Sequence, residues 1–387
     1  MRILYWKWNS FLKESIEKGF EKLSVDYVEY FYQLEDWEED FKFQNSFLDK
    51  LKYEKENGGI DGVFSVNFNP LIAKVCKDED IPYISWIYDS PIHIRNLETL
   101  KYKTNLIFDF DRGQVEAFKK NKINCYHMSL GCDVEHFSKV IKKSSENKRK
   151  QFTNEVSFVG KLYKNDYAQI ITALGEYNKG YLEGIIKSQM SVYGGYLLDS
   201  LVSNNLIANM NQDFKKNLNK KFKVNKRQIE FLVGQEIARR ERFMALSLLG
   251  NRHRVTLYSG DKDENIKNVE QKGAIDYSTE LPLVFNESDI NLNISLRTIQ
   301  TGIPLRVWEI IGSNGFIITN FQEELGECFD LSRDIVTYSC LEELVELTDY
   351  YLKHETEREL IKNNAFEHIK KAGRIEDRLR AMFDYIK

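Results

Sequence analysis

A chain of 387 residues exceeds the size at which a single core keeps growing, and 42% hydrophobic residues with five prolines exclude long disordered or low-complexity regions. A formal charge of −4 gives no general attraction to nucleic acid. Five cysteines without a C-x-x-C pair, no apolar stretch of bilayer length and too short an apolar run in MRILYWKWNS for a signal peptide point to a soluble, cytoplasmic protein; peripheral membrane contact stays open.

Residues 1–138 alternate short apolar runs with stretches of helical length. Strands are predicted at 2–5, 25–30, 62–66, 83–88, 106–110 and 125–128, the signature of a parallel, doubly wound sheet. Pro70 and Arg112 stand near the starts of helices that follow strands.

Residues 139–152 form a charge-rich linker, in which VIKKSSENKRKQ reads as a solvated connector because no aromatics interleave its lysines. A second domain, 153–387, opens with the strand in EVSFVGKLY and is interrupted over 166–252 by helices. Ile229, Val233, Ile237, Met244 and Leu248 fall near one helical face there, with Glu236, Arg239, Arg240 and Arg242 among the polar positions. The insertion either elaborates the domain's packing or meets an acceptor or partner. Strands are then predicted at 254–259, 274–277, 290–294, 315–320 and 335–338, and two helices, 341–354 and 355–386, close the chain.

The densest stretch is 290–320, INLNISLRTIQTGIPLRVWEIIGSNGFIITN, a strand, helix, strand unit. Gly302 supplies a turn, Pro304 opens a helix over 305–311, and Gly312 and Gly315 end it. Such a unit presents N–H groups and a positive dipole end that suit a phosphate. Arg297 and Arg306 flank the turn, and Glu309 lies one helical turn beyond Arg306. With two α/β domains in series, the natural ligand site is the cleft between them.

The run SDINLNISLRTIQTGIPLRVWEIIGSNGFIITNFQEELGECF, followed by DIVTYSCLEELVELTDYYLKHETERELI, resembles the C-terminal half of the CgeB-like, spore-maturation type glycosyltransferases. EVSFVGKLY, VTLYSG, YISWIYDSP, IFDFDRGQVEAF and HMSLGCDVEHF resemble the same family in order, so the likeness covers nearly the whole chain. It implies the GT-B fold, two facing Rossmann-like domains, here with a helical insertion in the second and C-terminal helices, the last packing back on the first domain. It also implies transfer from a nucleotide diphosphate sugar, UDP-sugar ahead of TDP or GDP, to a hydroxyl of a glycan, protein or small molecule. The nucleotide would sit on the C-terminal domain and the acceptor on the N-terminal one, with no metal and no cofactor. Asp109 and Asp111 of IFDFDR read accordingly as strand end and helix cap, not as a metal site.

The resemblance also implies site residues. Glu309 stands where the family places a carboxylate that accepts both ribose hydroxyls, against the alternative of a surface pair with Arg306. The family's second acidic residue, eight positions earlier, is Thr301 here; Thr301 stays among the donor-binding positions, but the departure leaves the donor-sugar contacts and the identity of the sugar open. Gly302 and the amides after it would face the diphosphate, with Arg297, Arg306 and Lys161 as cations and Gly160 allowing close backbone approach. Tyr258, Ser259 and Gly260 end a strand where such enzymes hold the base, although Tyr258 reads equally as core. Asp89 and His93 of IYDSPIH, just past a strand, are the candidate general bases, Asp89 first; its alternative is a turn cap. His127 reads as structural. Two rival functions are a nucleotide-sugar epimerase and a binding protein without turnover.

Overall fold

The computed structural model describes residues 1–92, 94–218 and 222–386. The chain folds into two compact units: Met1–Glu135 with Gly302–Glu309 and Ile369–Lys387, and His136–Thr301 with Ile310–His368. His93, one of the two candidate bases, lies outside the described residues.

The first unit holds a six-stranded parallel sheet of order β2-β1-β3-β4-β5-β6, built from β1 Arg2–Lys7, β2 Asp26–Phe31, β3 Gly62–Val66, β4 Tyr83–Ile87, β5 Asn105–Asp109 and β6 Cys125–His127. These are the six strands predicted from the sequence. β3 and β4 are buried along their whole length and read as apolar runs broken only by Ser65 and Ser85, whereas the edge strand β2 has no buried position. The helix Pro70–Asp78 starts on Asn69, whose side chain accepts from Leu71 and Ile72 N–H, and the helix Arg112–Lys120 starts on Asp111, which accepts from Gly113 N–H. Asp109 ends β5, so both aspartates of IFDFDR have the structural roles expected.

The C-terminal residues belong to this unit as well. Leu379 of the helix Ile375–Phe383 lies against Gly19 of the helix Lys13–Lys22, and Phe383 sits 5.7 Å from Phe20. The long closing helix predicted over 355–386 is in fact two, Glu355–Ala372 and Ile375–Phe383. The break is at Gly373, whose carbonyl accepts from Cys132 N–H at 3.1 Å; a Cβ on Gly131 would fall 2.4 Å from that same oxygen. A backbone crossing this close needs glycine.

The second unit holds a six-stranded parallel sheet of order β12-β11-β10-β7-β8-β9, made of β7 Asn154–Val159, β8 Val255–Tyr258, β9 Val269–Lys272, β10 Ser288–Asn293, β11 Ile317–Asn320 and β12 Val336–Tyr338. Five strands fall where predicted. The strand expected at 274–277 does not form; β9 occupies Val269–Lys272 instead. β9 is an edge strand of sequence VEQK with no fully buried position, so it needs no apolar run, and the more hydrophobic AIDY misled the reading. The linker 139–152 is largely helical, carrying the end of Val134–Lys143 and all of Glu146–Lys150.

Between β7 and β8 the insertion is helical throughout its described residues apart from short connections, and it has a core of its own around Leu182, Ile186, Met210, Phe214, Val233 and Ile237. The helix Lys226–Gly250 belongs to two cores. Ile229, Val233 and Ile237 enter that of the insertion, while Ala245, Leu246 and Leu249 pack on the sheet. The predicted stripe therefore changes face: Met244 is only half-buried and Leu248 is exposed. Buried positions repeat every four residues from 229 to 249, which drifts about 40° per step around a helix. The stripe crosses Glu241 on its way.

Candidate functional site

In a parallel sheet every strand ends at the same edge, and the loops that follow bring their N–H groups there. At that edge of the second unit, Gly160 follows β7 and its N–H donates to Tyr258 O at 3.1 Å. Ser259 Oγ accepts from Asp261 N–H at 3.0 Å, and Asp261 Oδ2 accepts from Leu162 N–H at 2.8 Å, so the loops after β7 and β8 are tied together. Asn320 at the end of β11 accepts Ser295 N–H at 2.7 Å and fixes the loop after β10. A Cβ added at Gly260 would meet nothing within 4 Å, and Lys161 is exposed. Gly160, Lys161, Ser259 and Gly260 thus gather at one sheet edge, with open space beside Gly260, while Gly160 is flanked by the Phe158 ring.

Three predicted ligand residues are placed otherwise. Tyr258 is 2% exposed in β8, its hydroxyl on Asn154 Oδ1, so of its two readings the structure gives core and not base stacking. Arg297 is not available as a diphosphate cation: Nε and Nη2 both go to Glu241, Nη2 at 2.6 Å, and the guanidinium lies 3.9 Å from the centre of the Tyr193 ring. Burial opposes its charge, yet Glu241 overrides that and raises its pKa. Thr301 Oγ1 donates to Glu324 Oε1 at 2.7 Å, and Glu324 N–H returns to Thr301 O. A buried carboxylate therefore does stand beside position 301, supplied by the loop after β11.

Sequence reasoning missed Arg242. It leaves the helix Lys226–Gly250 to donate to the carbonyls of Lys161 and Ile294, joining the loops after β7 and β10, and its guanidinium stacks 4.4 Å from the Tyr163 ring centre. Its position on the expected polar face was visible; its carbonyl partners, 81 and 52 residues away, were not.

In the first unit Gly302 packs on the turn after β5: a Cβ there would lie 2.8 Å from Phe110 O and 2.9 Å from Asp111 Cα. Close backbone packing, rather than a phosphate, accounts for this glycine. Seven residues on, Glu309 is 1% exposed. Its Oε2 accepts from Arg306 Nη1 at 2.7 Å, and its Oε1 has no hydrogen-bond partner among the described residues. The Arg306 side chain is one-quarter exposed. Near Glu309 lie the Tyr88 hydroxyl and the Cys132 thiol, both raised well above their ordinary pKa first by burial and then by neighbouring negative charge, that of Glu309 included.

Asp89 follows β4 at the carboxyl edge. Asn67, held at φ 59° just past β3, accepts Tyr88 N–H at 2.8 Å and donates Nδ2 to Asp89 Oδ2 at 2.7 Å. That bond orients the carboxylate and leaves Oδ1 to take a proton. Asp89 also lines a hollow of about 450 Å³ with Trp37, Asn67, Phe68 and Arg95. His127 Nε2 is 3.2 Å from Phe110 O, in keeping with a structural histidine. Among the described residues no group of three or more His, Cys, Asp or Glu is arranged to hold a metal, and no helix is long and apolar enough to cross a membrane.

Comparison with known proteins agrees with this architecture. Residues 227–384 match a family model described as glycosyl transferase-like. No curated protein sequence matches the chain. Among solved structures it is similar to Anabaena HepE in complex with UDP-glucose, with a TM-score of 0.57 at 10% identity over 100% of this chain and 99% of the other. It is also similar to a glycosyltransferase from Rickettsia africae, TM-score 0.56 at 11% identity over 100% and 97%, and to T4 phage BGT with its UDP-glucose substrate, TM-score 0.53 at 11% identity over 100% and 99%. The chain has the GT-B fold and carries a glycosyl transferase-like domain.

Proposed function

We propose that this protein transfers a sugar from a nucleotide diphosphate sugar, UDP-sugar ahead of TDP- or GDP-sugar, to a hydroxyl of an acceptor, without a metal, as a cytoplasmic enzyme of the CgeB-like type. The observation that carries the reading is Glu309: a buried carboxylate with one oxygen on Arg306 and the other unpartnered. A buried acceptor without a donor is costly in an empty site, and a ribose hydroxyl would satisfy it. The structural relatives solved with UDP-glucose support the same donor class.

In this reading Arg306 and Lys161 offset charge on the leaving diphosphate, while Gly160, Ser259 and Gly260 let backbone approach the nucleotide. Thr301, with Glu324 behind it, borders the donor sugar. The bond between the anomeric carbon and the diphosphate oxygen breaks, its electron pair leaving with the nucleotide, as the acceptor oxygen bonds that carbon. The proton of the acceptor hydroxyl passes to Asp89 Oδ1. Incubation with a panel of UDP-, TDP- and GDP-sugars, reading free nucleotide and product mass, tests it. Nucleotide release that rises with an acceptor is expected; binding without release in any combination would leave a non-catalytic binding protein, and conversion of the donor sugar without transfer an epimerase.

A further inference from the structure

The hollow beside Asp89 is large enough for a small molecule, and its wall is chemically one-sided. Glu35, Asp36, Glu38 and Asp89 contribute four carboxylates and Arg95 a guanidinium, a formal charge of minus three among its described lining residues. Two of the four are already engaged. Arg95 Nη2 lies 2.8 Å from Asp36 Oδ1, and Glu38 accepts Asn96 N–H at 2.9 Å and stands 3.6 Å from Arg95 Nε. The Glu38 N–H together with Arg95 holds the Asp36 carboxyl below its usual range, so it stays ionised. Glu35 and Asp89 have no ion-pair partner among the described residues, although Asp89 accepts from Asn67.

The aromatic wall is rigid. Trp37 is held edge-on by Trp6 at 5.3 Å and by Trp8 at 5.1 Å between ring centres. Trp8 in turn donates its indole N–H to Val66 O, and Trp6 donates to Tyr32 O. A fixed indole beside uncompensated carboxylates is the combination that recognises an ammonium group, by cation–π attraction and by charge. The same wall repels a phosphate or carboxylate.

Resting on the transferase reading above, we propose that this hollow is an acceptor site selecting an amine-bearing sugar or amino alcohol, with Glu35 and Trp37 taking the ammonium group while Asp89 faces the hydroxyl that is glycosylated. Phosphorylated acceptors are rejected. The test follows tryptophan fluorescence as glucosamine, glucose and glucose 6-phosphate are titrated into the full chain at two salt concentrations. Glucosamine should bind about tenfold or more tighter than glucose, glucose 6-phosphate weaker than either, and the preference should shrink with salt and in Glu35→Gln, an exposed position where the change leaves the fold intact. Equal binding of glucosamine and glucose, or a preference unmoved by Glu35→Gln, would overturn the proposal whether or not nucleotide is released. Release of UDP from UDP-glucose, measured separately with each acceptor, decides the transferase reading on its own.

Discussion

Arg306 Nη1 donates to Glu309 Oε2 at 2.7 Å, and the other oxygen of this buried carboxylate has no partner among the described residues. If that oxygen waits for a ribose hydroxyl, Glu309→Ala lowers UDP affinity by about 1 to 3 kcal/mol, the value of a charge-assisted bond. Calorimetric titration of UDP into both proteins measures it, and equal affinities would remove the ribose role. Glu309→Gln, which keeps one acceptor oxygen, should fall between the two.

Arg297 and Glu241 form a pair buried on both sides, at 5% and 3% side-chain exposure. Removing either partner alone strands a buried charge, so Arg297→Met or Glu241→Gln should cost about 3 to 5 kcal/mol in urea unfolding. Arg297→Lys should not restore stability, because an ammonium supplies neither the two-donor edge nor the flat face against Tyr193. UDP affinity of the folded variant should stay unchanged; a selective loss of affinity would return Arg297 to the ligand.

Asn67 separates backbone from chemistry. Its φ of 59° suits glycine as well, so Asn67→Gly keeps the turn and deletes the side-chain bonds to Asp89 and to Tyr88 N–H. The expected result is a fall in kcat with KM and melting temperature little changed. Asp89→Asn should lower kcat further, by about 10² to 10⁴, the range for loss of a general base. Undiminished turnover in Asp89→Asn would place the base elsewhere.

Acid should reach the helical insertion early. Hydrogen bonds from Arg240 draw the Glu183 carboxyl below its ordinary 4.5; at Glu236 burial works the other way, but Arg239 and Arg240 outweigh it and the shift is also downward. A lowered folded pKa stabilises above the unfolded value, and that stability is lost as pH falls through the folded one. Hydrogen-exchange protection over residues 167–240, corrected for the intrinsic pH dependence of exchange, should therefore fall below about pH 4.5. Glu236→Gln should flatten the dependence; protection that is level between pH 6 and 3.5 would contradict it.

The alternation of strands and helices was readable because eleven of the twelve strands fall on short apolar runs or beside them, and because Pro70 and Asp111 mark the starts of their helices. β9 was misplaced because its sequence, VEQK, is polar at three of four positions and carries no such mark. The site was less legible for a different reason. Glu241 lies 56 residues before Arg297, Glu324 lies 23 after Thr301, and Phe110 is remote in sequence from Gly302, so what each candidate touches is decided by topology. Asn67 gave no periodic signal, since its role rests on one left-handed backbone conformation.

The helix Lys226–Gly250 is a rod of about 37 Å whose two ends are gripped by different cores. Its ends are consequently locked in phase. One residue added between Ile237 and Ala245 would turn one end by about 100° against the other, so Ala245, Leu246 and Leu249 would leave the sheet or Ile229 and Val233 would leave the insertion. Insertions in this part of the molecule should therefore be tolerated in the connections among the shorter helices, while the rod itself admits whole turns or nothing.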